Sequence, residues 1–190
     1  YINTVIGFSP VIFRRTYTEI TSTGGLWDES RIWYPMAGGK DTPSAAVWKW
    51  DNGNSIKFRH LQHENTVTSY QGAQIPMIGL DELTHFSEHT FFYLLSRNRS
   101  TCGIKPYMRA TCNPAPGSWV AKLLAPWIDD VADGAEATFI QPNGEQRVLA
   151  SGELGYFSRV SGDIIWHTIE EYNADQELPP LERTIKTLTY

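Results

Sequence analysis

The chain has 190 residues, of which 41% are hydrophobic and 19% are charged, and its formal net charge is −5. These values predict one folded domain and exclude a disordered chain, and no apolar run is long enough to span a bilayer. The negative charge argues against a broadly basic nucleic-acid-binding protein but leaves room for a local basic track. The two cysteines, Cys102 and Cys112, have no metal-type spacing and are expected to be reduced thiols in a cytosolic protein.

The first predicted elements are a strand at residues 11–14 and an amphipathic helix at residues 24–34. The glycines and lysine at residues 38–40 look like half of a phosphate-binding loop. That loop needs a glycine where Tyr34 stands and a serine or threonine where Asp41 stands. The glycines therefore predict the end of a helix instead.

Residues 46–60 predict a β-hairpin, with an Asn-Gly turn at residues 52–53. Alternation along the first arm puts Trp48 and Trp50 on one face and Lys49 on the other. Such a hairpin either covers the edge of a sheet or contacts DNA through its basic and aromatic side chains. The first interpretation is favoured.

An apolar run at residues 75–80 ends abruptly in two carboxylates, Asp81 and Glu82. The run predicts a buried strand of a parallel sheet, and ligands of open α/β sheets bind at the carboxyl ends of the strands. The first carboxylate can hold a hydrated Mg²⁺, and the second can polarise a water for attack on a phosphate. The alternative is an Asp-Glu pair that only starts a turn or caps a helix.

Residues 86–99 predict a helix capped by Thr84 or Ser87, and residues 107–114 predict a strand with a polar end. Together with the preceding strand they form a right-handed βαβ unit, in which both strands end at the same edge of the sheet. The polar residues expected at that edge are Asp81, Glu82, Thr111 and Asn113. The alternative for the Asn-Pro sequence is a simple turn.

Beyond residue 126 the pattern becomes β-rich. Strands are predicted at residues 137–140, 147–150 and 157–160, followed by a helix at 163–172, a linker at 177–180 and a last strand at 183–190. The predicted domain organisation is a core at residues 1–126, a β-rich insertion at 127–162, and a C-terminal helix, linker and truncated strand at 163–190.

Three blocks, at residues 11–16, 78–86 and 109–114, resemble the large terminase subunits of tailed bacteriophages. Residues 94–100 resemble the arginine-bearing helix end of that family, and the likeness extends over about residues 5–125. The order and spacing of the blocks make it specific. The resemblance implies part of an α/β fold of the P-loop NTPase type, in its additional-strand, catalytic-glutamate class. That fold is a mostly parallel sheet flanked by helices, here with a small β-rich insertion.

The resemblance also implies the roles of the site residues. Asp81 would bind Mg²⁺ through water, and Glu82 would be the catalytic base of an ATPase. The segment from Thr111 to Asn113 would couple ATP hydrolysis to DNA movement. Arg97 or Arg99 would neutralise charge that develops on the phosphate.

The partners implied by the resemblance are those of a DNA-packaging motor. They are ATP and Mg²⁺, double-stranded DNA, the portal protein, the small terminase subunit, and further copies of the chain in a ring. The motor would work in the host cytoplasm, encoded by a phage or a prophage, without a membrane.

The chain departs from the family at two places. The family's phosphate-binding loop with its lysine should precede the first strand, and the chain begins at Tyr1 without it. We therefore expect a piece of the ATPase domain that hydrolyses ATP poorly by itself, and no acidic nuclease cluster is visible. An arginine that acts on a neighbouring subunit's nucleotide in some relatives is replaced by Gln71, so Arg59, Arg97 and Arg99 become candidates for that role.

Three other interpretations stay open. The spacing of His85, Glu88 and His89 fits the H-x-x-E-H zinc protease motif, which requires both histidines on one helix face. A helicase-like DNA-dependent ATPase would share the Asp-Glu pair but would need a second core domain. A non-catalytic scaffold relative would lack the phosphate loop altogether.

Overall fold

The computed structural model describes residues 1–128, 148–180 and 182–190. These residues form two compact units, Tyr1–Pro114 and Ala115–Tyr190. The predicted strand at residues 137–140 lies outside the described residues. So does the first residue of the strand predicted at 147–150, and that prediction is wrong for residues 148–150, which are not in a strand. None of the described helices is both long and apolar enough to cross a membrane.

A six-stranded sheet organises the first unit, in the order β2-β3-β4-β1-β5-β6. Its strands are β1 (Val11–Arg14), β2 (Lys40–Thr42), β3 (Val47–Lys49), β4 (Ser55–His60), β5 (Met77–Leu80) and β6 (Tyr107–Ala110). The neighbours β4, β1, β5 and β6 are parallel, whereas β2 and β3 add an antiparallel edge. The predicted mixed α/β class with a mostly parallel sheet flanked by helices is confirmed at this level.

One face of this sheet packs against two helices, α1 (Tyr17–Thr21) and α2 (Leu26–Trp33). The hairpin alternation predicted from the sequence is confirmed, because Trp48 and Trp50 are 2% and 6% exposed whereas Lys49 is exposed. The indole N–H of Trp48 donates to Oγ of Ser30 over 2.9 Å, and that of Trp50 donates to the carbonyl of Ala37 over 2.9 Å. Both aromatic rings are therefore core residues, since a buried indole requires such a partner.

The helix that joins β5 to β6 is α3 (Glu88–Arg97). It begins at Ser87, whose hydroxyl accepts a hydrogen bond from the Thr90 N–H over 3.2 Å, so Ser87 rather than Thr84 is the cap. Since β5 and β6 are parallel neighbours, the strand–helix–strand arrangement predicted for this segment is confirmed.

The glycines at residues 38 and 39 end a short 3-10 turn, Pro35–Ala37, and do not form a phosphate loop. Gly38 has a φ of 84°, which is the left-handed conformation typical of such stops. The strand β2 that follows was not predicted. Its Lys-Asp-Thr sequence has no strand pattern of its own. The segment is a strand because it pairs with β3.

The described residues of the second unit form α4 (Trp119–Leu124), α5 (Ile169–Glu177) and an antiparallel sheet of three strands in the order β8-β7-β9. Its strands are β7 (Gly155–Val160), β8 (Asp163–His167) and β9 (Lys186–Leu188). The strand predicted at residues 157–160 and the last strand are present.

The helix predicted at residues 163–172 is wrong over its first half, which is β8. Ser161 and Gly162 both have positive φ values, 54° and 102°, and form a two-residue turn that pairs β8 with β7. The isoleucines and tryptophan of β8 also favour a strand. The helix α5 begins only at Ile169, after the Thr168 cap.

Candidate active site at the carboxyl edge of the parallel sheet

The two predicted carboxylates follow β5 directly, at the carboxyl edge of the sheet. The Asp81 N–H donates to the carbonyl of Phe13 on β1 over 3.0 Å, which continues the sheet by one residue. Glu82 then adopts a left-handed backbone, with φ 59° and ψ 66°. This conformation costs a non-glycine residue about 1 kcal/mol or more. The sequence therefore places a charged residue at a strained turn, as often happens at functional sites.

Thr111, just beyond β6, holds this turn through three hydrogen bonds. Its hydroxyl donates to Oδ1 of Asp81 over 2.7 Å and accepts from the Glu82 N–H over 3.0 Å. Its carbonyl accepts from the Leu83 N–H over 2.7 Å. One residue thereby fixes the orientation of the first carboxylate and the backbone of the second.

Arg14, at the end of β1, forms an ion pair with the other oxygen of Asp81. Its Nη1 contacts Oδ2, and the two side chains are 23% and 20% exposed, so the pair is largely shielded from water. Within the described part of the chain, Nε of Arg14 is buried without a hydrogen-bond partner. This ion pair was not predicted from the sequence. The sequence did contain one indication of it, because Arg14 is a cation at the end of a strand that could lie beside β5.

Asn113 lies two residues beyond Thr111 and is exposed at the same edge of the sheet. Between them, burial raises the pKa of the Cys112 thiol, and the negative charge of Glu82 raises it further. A neutral thiol therefore lies between the two polar residues. The structure brings together three of the predicted site residues, Asp81, Glu82 and Thr111, and places Asn113 two residues farther along the chain.

Arg97 and Arg99 lie at the opposite end of the strands. The Arg97 carbonyl accepts from the N–H of Ile75, which precedes β5, over 3.2 Å. The Asn98 side chain donates to the carbonyl of Ile75 over 2.9 Å. Six residues of extended chain, about 20 Å, separate Ile75 from Asp81. The roles of both arginines stay predictions, and the arginine beside Asp81 within this chain is Arg14.

His85 and His89 do not share a helix. His85 ends the short 3-10 turn Leu83–His85, with its Nδ1 3.9 Å from Oε1 of Glu19. His89 lies within α3 against the ring of Tyr93. Among the described residues, no group of three histidine, cysteine, aspartate or glutamate side chains is placed to hold a metal. The zinc protease geometry is therefore absent from these residues.

The turn around His85 is also tied to the end of β1. The Arg15 guanidinium donates to the His85 carbonyl over 3.0 Å. A hydrogen bond from the Thr16 hydroxyl lowers the pKa of Glu19, although burial opposes the shift and the charge of Arg14 assists it. The ends of β1, β5 and β6 thus form one connected polar edge.

Comparison with known proteins addresses the resemblance directly. The model of the family described as "Terminase large subunit, T4likevirus-type, N-terminal" matches residues 8–189. Among solved structures, a large terminase from a thermophilic bacteriophage is 16% identical, with a TM-score of 0.47 over 60% of this chain. The chain spans 28% of the length of that structure. No curated protein matches the chain. Because the family model covers nearly the whole chain, the chain belongs to the T4likevirus-type family of terminase large subunit N-terminal regions.

Proposed function

We propose that this chain carries the catalytic carboxylates of an ATP-hydrolysing motor that packages viral DNA into procapsids. The observation that supports it most is the joining of Asp81, Glu82 and Thr111 at the carboxyl edge of a parallel sheet. Such edges hold the ligands of open α/β sheets. Membership in the terminase large subunit family supports the same role.

The donors at this edge fit a hydrated Mg²⁺ that accompanies ATP. The Asp81 carboxylate and the Thr111 hydroxyl are oxygen donors, which Mg²⁺ prefers. Both Asp81 oxygens already have protein partners, Thr111 on one and Arg14 on the other. Contact through water is therefore favoured over direct ligation. When bound, the metal would neutralise charge on the phosphates.

Glu82 is the proposed catalytic base. It is half-buried, and its backbone is held by the hydroxyl of Thr111. A carboxylate whose backbone is held beside the metal-binding residue can orient a water for in-line attack on the terminal phosphate. Arg14 lies against Asp81, so it is positioned to hold the metal-binding carboxylate in place while Glu82 acts.

The proposal for the wider role of the protein rests on the family and not on this edge. We propose double-stranded DNA, the portal protein and the small terminase subunit as its partners. Several copies of the subunit would form a ring during packaging, in the cytoplasm of the infected host.

The test is Glu82→Gln in the complete protein that contains this chain. We expect ATP turnover to be abolished while ATP binding is kept, because the amide retains the shape of the side chain but is not a base. Glu64→Gln, at an exposed position of the first unit, is the matched control and should leave turnover unchanged. Hydrolysis retained in Glu82→Gln would remove Glu82 from this role.

A further inference from the structure

The outer face of the edge hairpin is basic, although the chain as a whole is acidic. Residues 40–60 contain four cations, Lys40, Lys49, Lys57 and Arg59, against two acids, Asp41 and Asp51, in a chain whose net charge is −5. We infer that this face, hereafter the hairpin face, binds the phosphate backbone of duplex DNA.

The register of the strands places these cations on one side of the sheet. Lys40 pairs with Lys49 across β2 and β3, and Lys49 pairs with Ser55 across β3 and β4. Opposed residues of an antiparallel pair share a face, and so do residues two apart along a strand. Lys57 and Arg59, which follow Ser55 at intervals of two, therefore belong to the same side.

The acidic residues do not cancel this charge. Asp41 pairs with Trp48, which points into the core, and so lies on the opposite side of the sheet. Asp51 contacts Lys40 over 2.5 Å, but both side chains are more than two thirds exposed, at 81% and 71%. An ion pair so open to water contributes little and exchanges its partner readily. Lys49 and Lys57 are both exposed.

An open depression of about 410 Å³ lies beside the hairpin. Its lining includes Lys49 and Lys57 together with the hydroxyl-bearing Thr42 and Ser55. Lysine, serine and threonine are among the side chains that contact phosphate oxygens in protein–DNA complexes. Cβ atoms of diagonal neighbours such as Lys49 and Lys57 lie about 7–8 Å apart, and their flexible stems can reach separate phosphates.

Duplex DNA fits this face better than an acidic protein does. Protein interfaces depend on exposed aromatic or aliphatic anchors. The aromatic ring beside the depression, Trp50, is only 6% exposed, and Val47 is also 6% exposed. Contacts with the phosphate backbone of DNA need only positive charge and hydrogen-bond donors on the protein. The choice of duplex DNA over another polyanion rests on the proposed packaging role.

The test is the affinity of the chain for a fluorescein-labelled duplex of random sequence, measured by anisotropy without ATP. In Lys49→Ala/Lys57→Ala, the affinity at about 50 mM salt should fall about tenfold or more. The slope of log K against log salt should shrink by about 2, since each lost phosphate contact contributes about 0.9. Thermal unfolding should be unchanged, because both lysines are exposed.

The matched control is Arg31→Ala/Lys186→Ala, which removes the same charge from exposed positions outside the hairpin face. Its affinity should stay within about twofold of the parent, because it removes no phosphate contact. Equal weakening in both double variants would overturn the inference, as would the absence of duplex binding by the parent chain. Competition by polyglutamate as effective as that by DNA would assign the face to an acidic protein. Because the assay contains no ATP, its outcome is separate from that of Glu82→Gln.

Discussion

Asp81 and Thr111 are thirty positions apart in sequence and are joined by a hydrogen bond of 2.7 Å from the threonine hydroxyl to Oδ1 of the aspartate. The same hydroxyl accepts the N–H of Glu82. Any movement of the segment after β6 therefore reaches the Asp81 carboxylate and the Glu82 backbone through one atom. This connection gives a physical basis for coupling between that segment and the proposed hydrolytic site.

Thr111→Val should lower ATP turnover of the complete protein about ten- to a hundredfold, because loss of the hydroxyl frees the Asp81 side chain and the Glu82 turn. The free energy of unfolding should fall by about 1 kcal/mol. Steady-state kinetics and chemical denaturation measure the two effects. Thr111→Ser keeps the hydroxyl and should retain most of the turnover. If the serine variant is as slow as the valine variant, the hydroxyl is not the active feature.

Arg14→Ala should lower the free energy of unfolding by about 2 kcal/mol, because it leaves the largely buried Asp81 carboxylate without its cation. A double-mutant cycle that combines Arg14→Ala with Asp81→Asn should give a coupling energy of about 1–3 kcal/mol between the two side chains. The control is Arg15→Ala, which removes a hydrogen bond to the His85 carbonyl but no ion pair and should cost less. A coupling energy near zero would mean that the ion pair does not stabilise the site.

Asn113→Ala should uncouple ATP hydrolysis from DNA movement in the complete protein while leaving its stability unchanged, since the side chain is exposed. ATP turnover and packaged DNA are measured in the same preparation. We expect turnover to continue while packaging falls. Unchanged packaging would remove Asn113 from the coupling role.

Because of Asp175, the free energy of unfolding of the second unit should decrease as pH falls into the acid range. Burial raises the pKa of this carboxyl, but hydrogen bonds from the Thr184 and Ile185 N–H groups and from the Thr184 and Gln176 side chains outweigh burial and lower it. Because the folded pKa is below the unfolded value of about 3.9, the stabilisation is present above that pH and is lost as pH falls through the folded pKa.

Asp175→Asn should therefore cost about 2 kcal/mol at neutral pH and progressively less as pH falls through the folded pKa and the native carboxyl becomes protonated. Denaturation at a series of pH values measures this difference. Asp163→Asn, at an exposed position of β8, is the control and should leave the pH profile unchanged. A penalty for Asp175→Asn that does not shrink in acid would contradict the assignment.

The strands and helices with strong local patterns could be predicted from the sequence. The apolar run before Asp81 and the Asn-Gly hairpin each carry their own signal. The short strand β2 could not be predicted, because only its pairing with β3 makes Lys40–Thr42 a strand. The start of β8 could not be predicted from periodicity alone, because it depends on the tight Ser161-Gly162 turn that pairs β8 with β7.

Part of the site could be predicted in the same way. A strand–helix–strand unit brings the two strand ends together, so Asp81 and Thr111 followed from the order of elements. The contact between Arg14 and Asp81 could not, because it depends on β1 lying beside β5. The location of Arg97 was predictable in principle. A helix that begins at the carboxyl edge returns the chain to the opposite edge.

At the left-handed turn of Glu82, the residue that suits the proposed function differs from the residue that would best stabilise the fold. Glycine adopts that backbone without a steric penalty. Glu82→Gly would therefore relieve strain at a position where the proposed chemistry needs a carboxylate. Selection for thermal stability alone would favour the glycine and discard the base. If glutamate is kept at this turn under such selection, it must be kept for its activity, because it does not contribute to the stability of the fold.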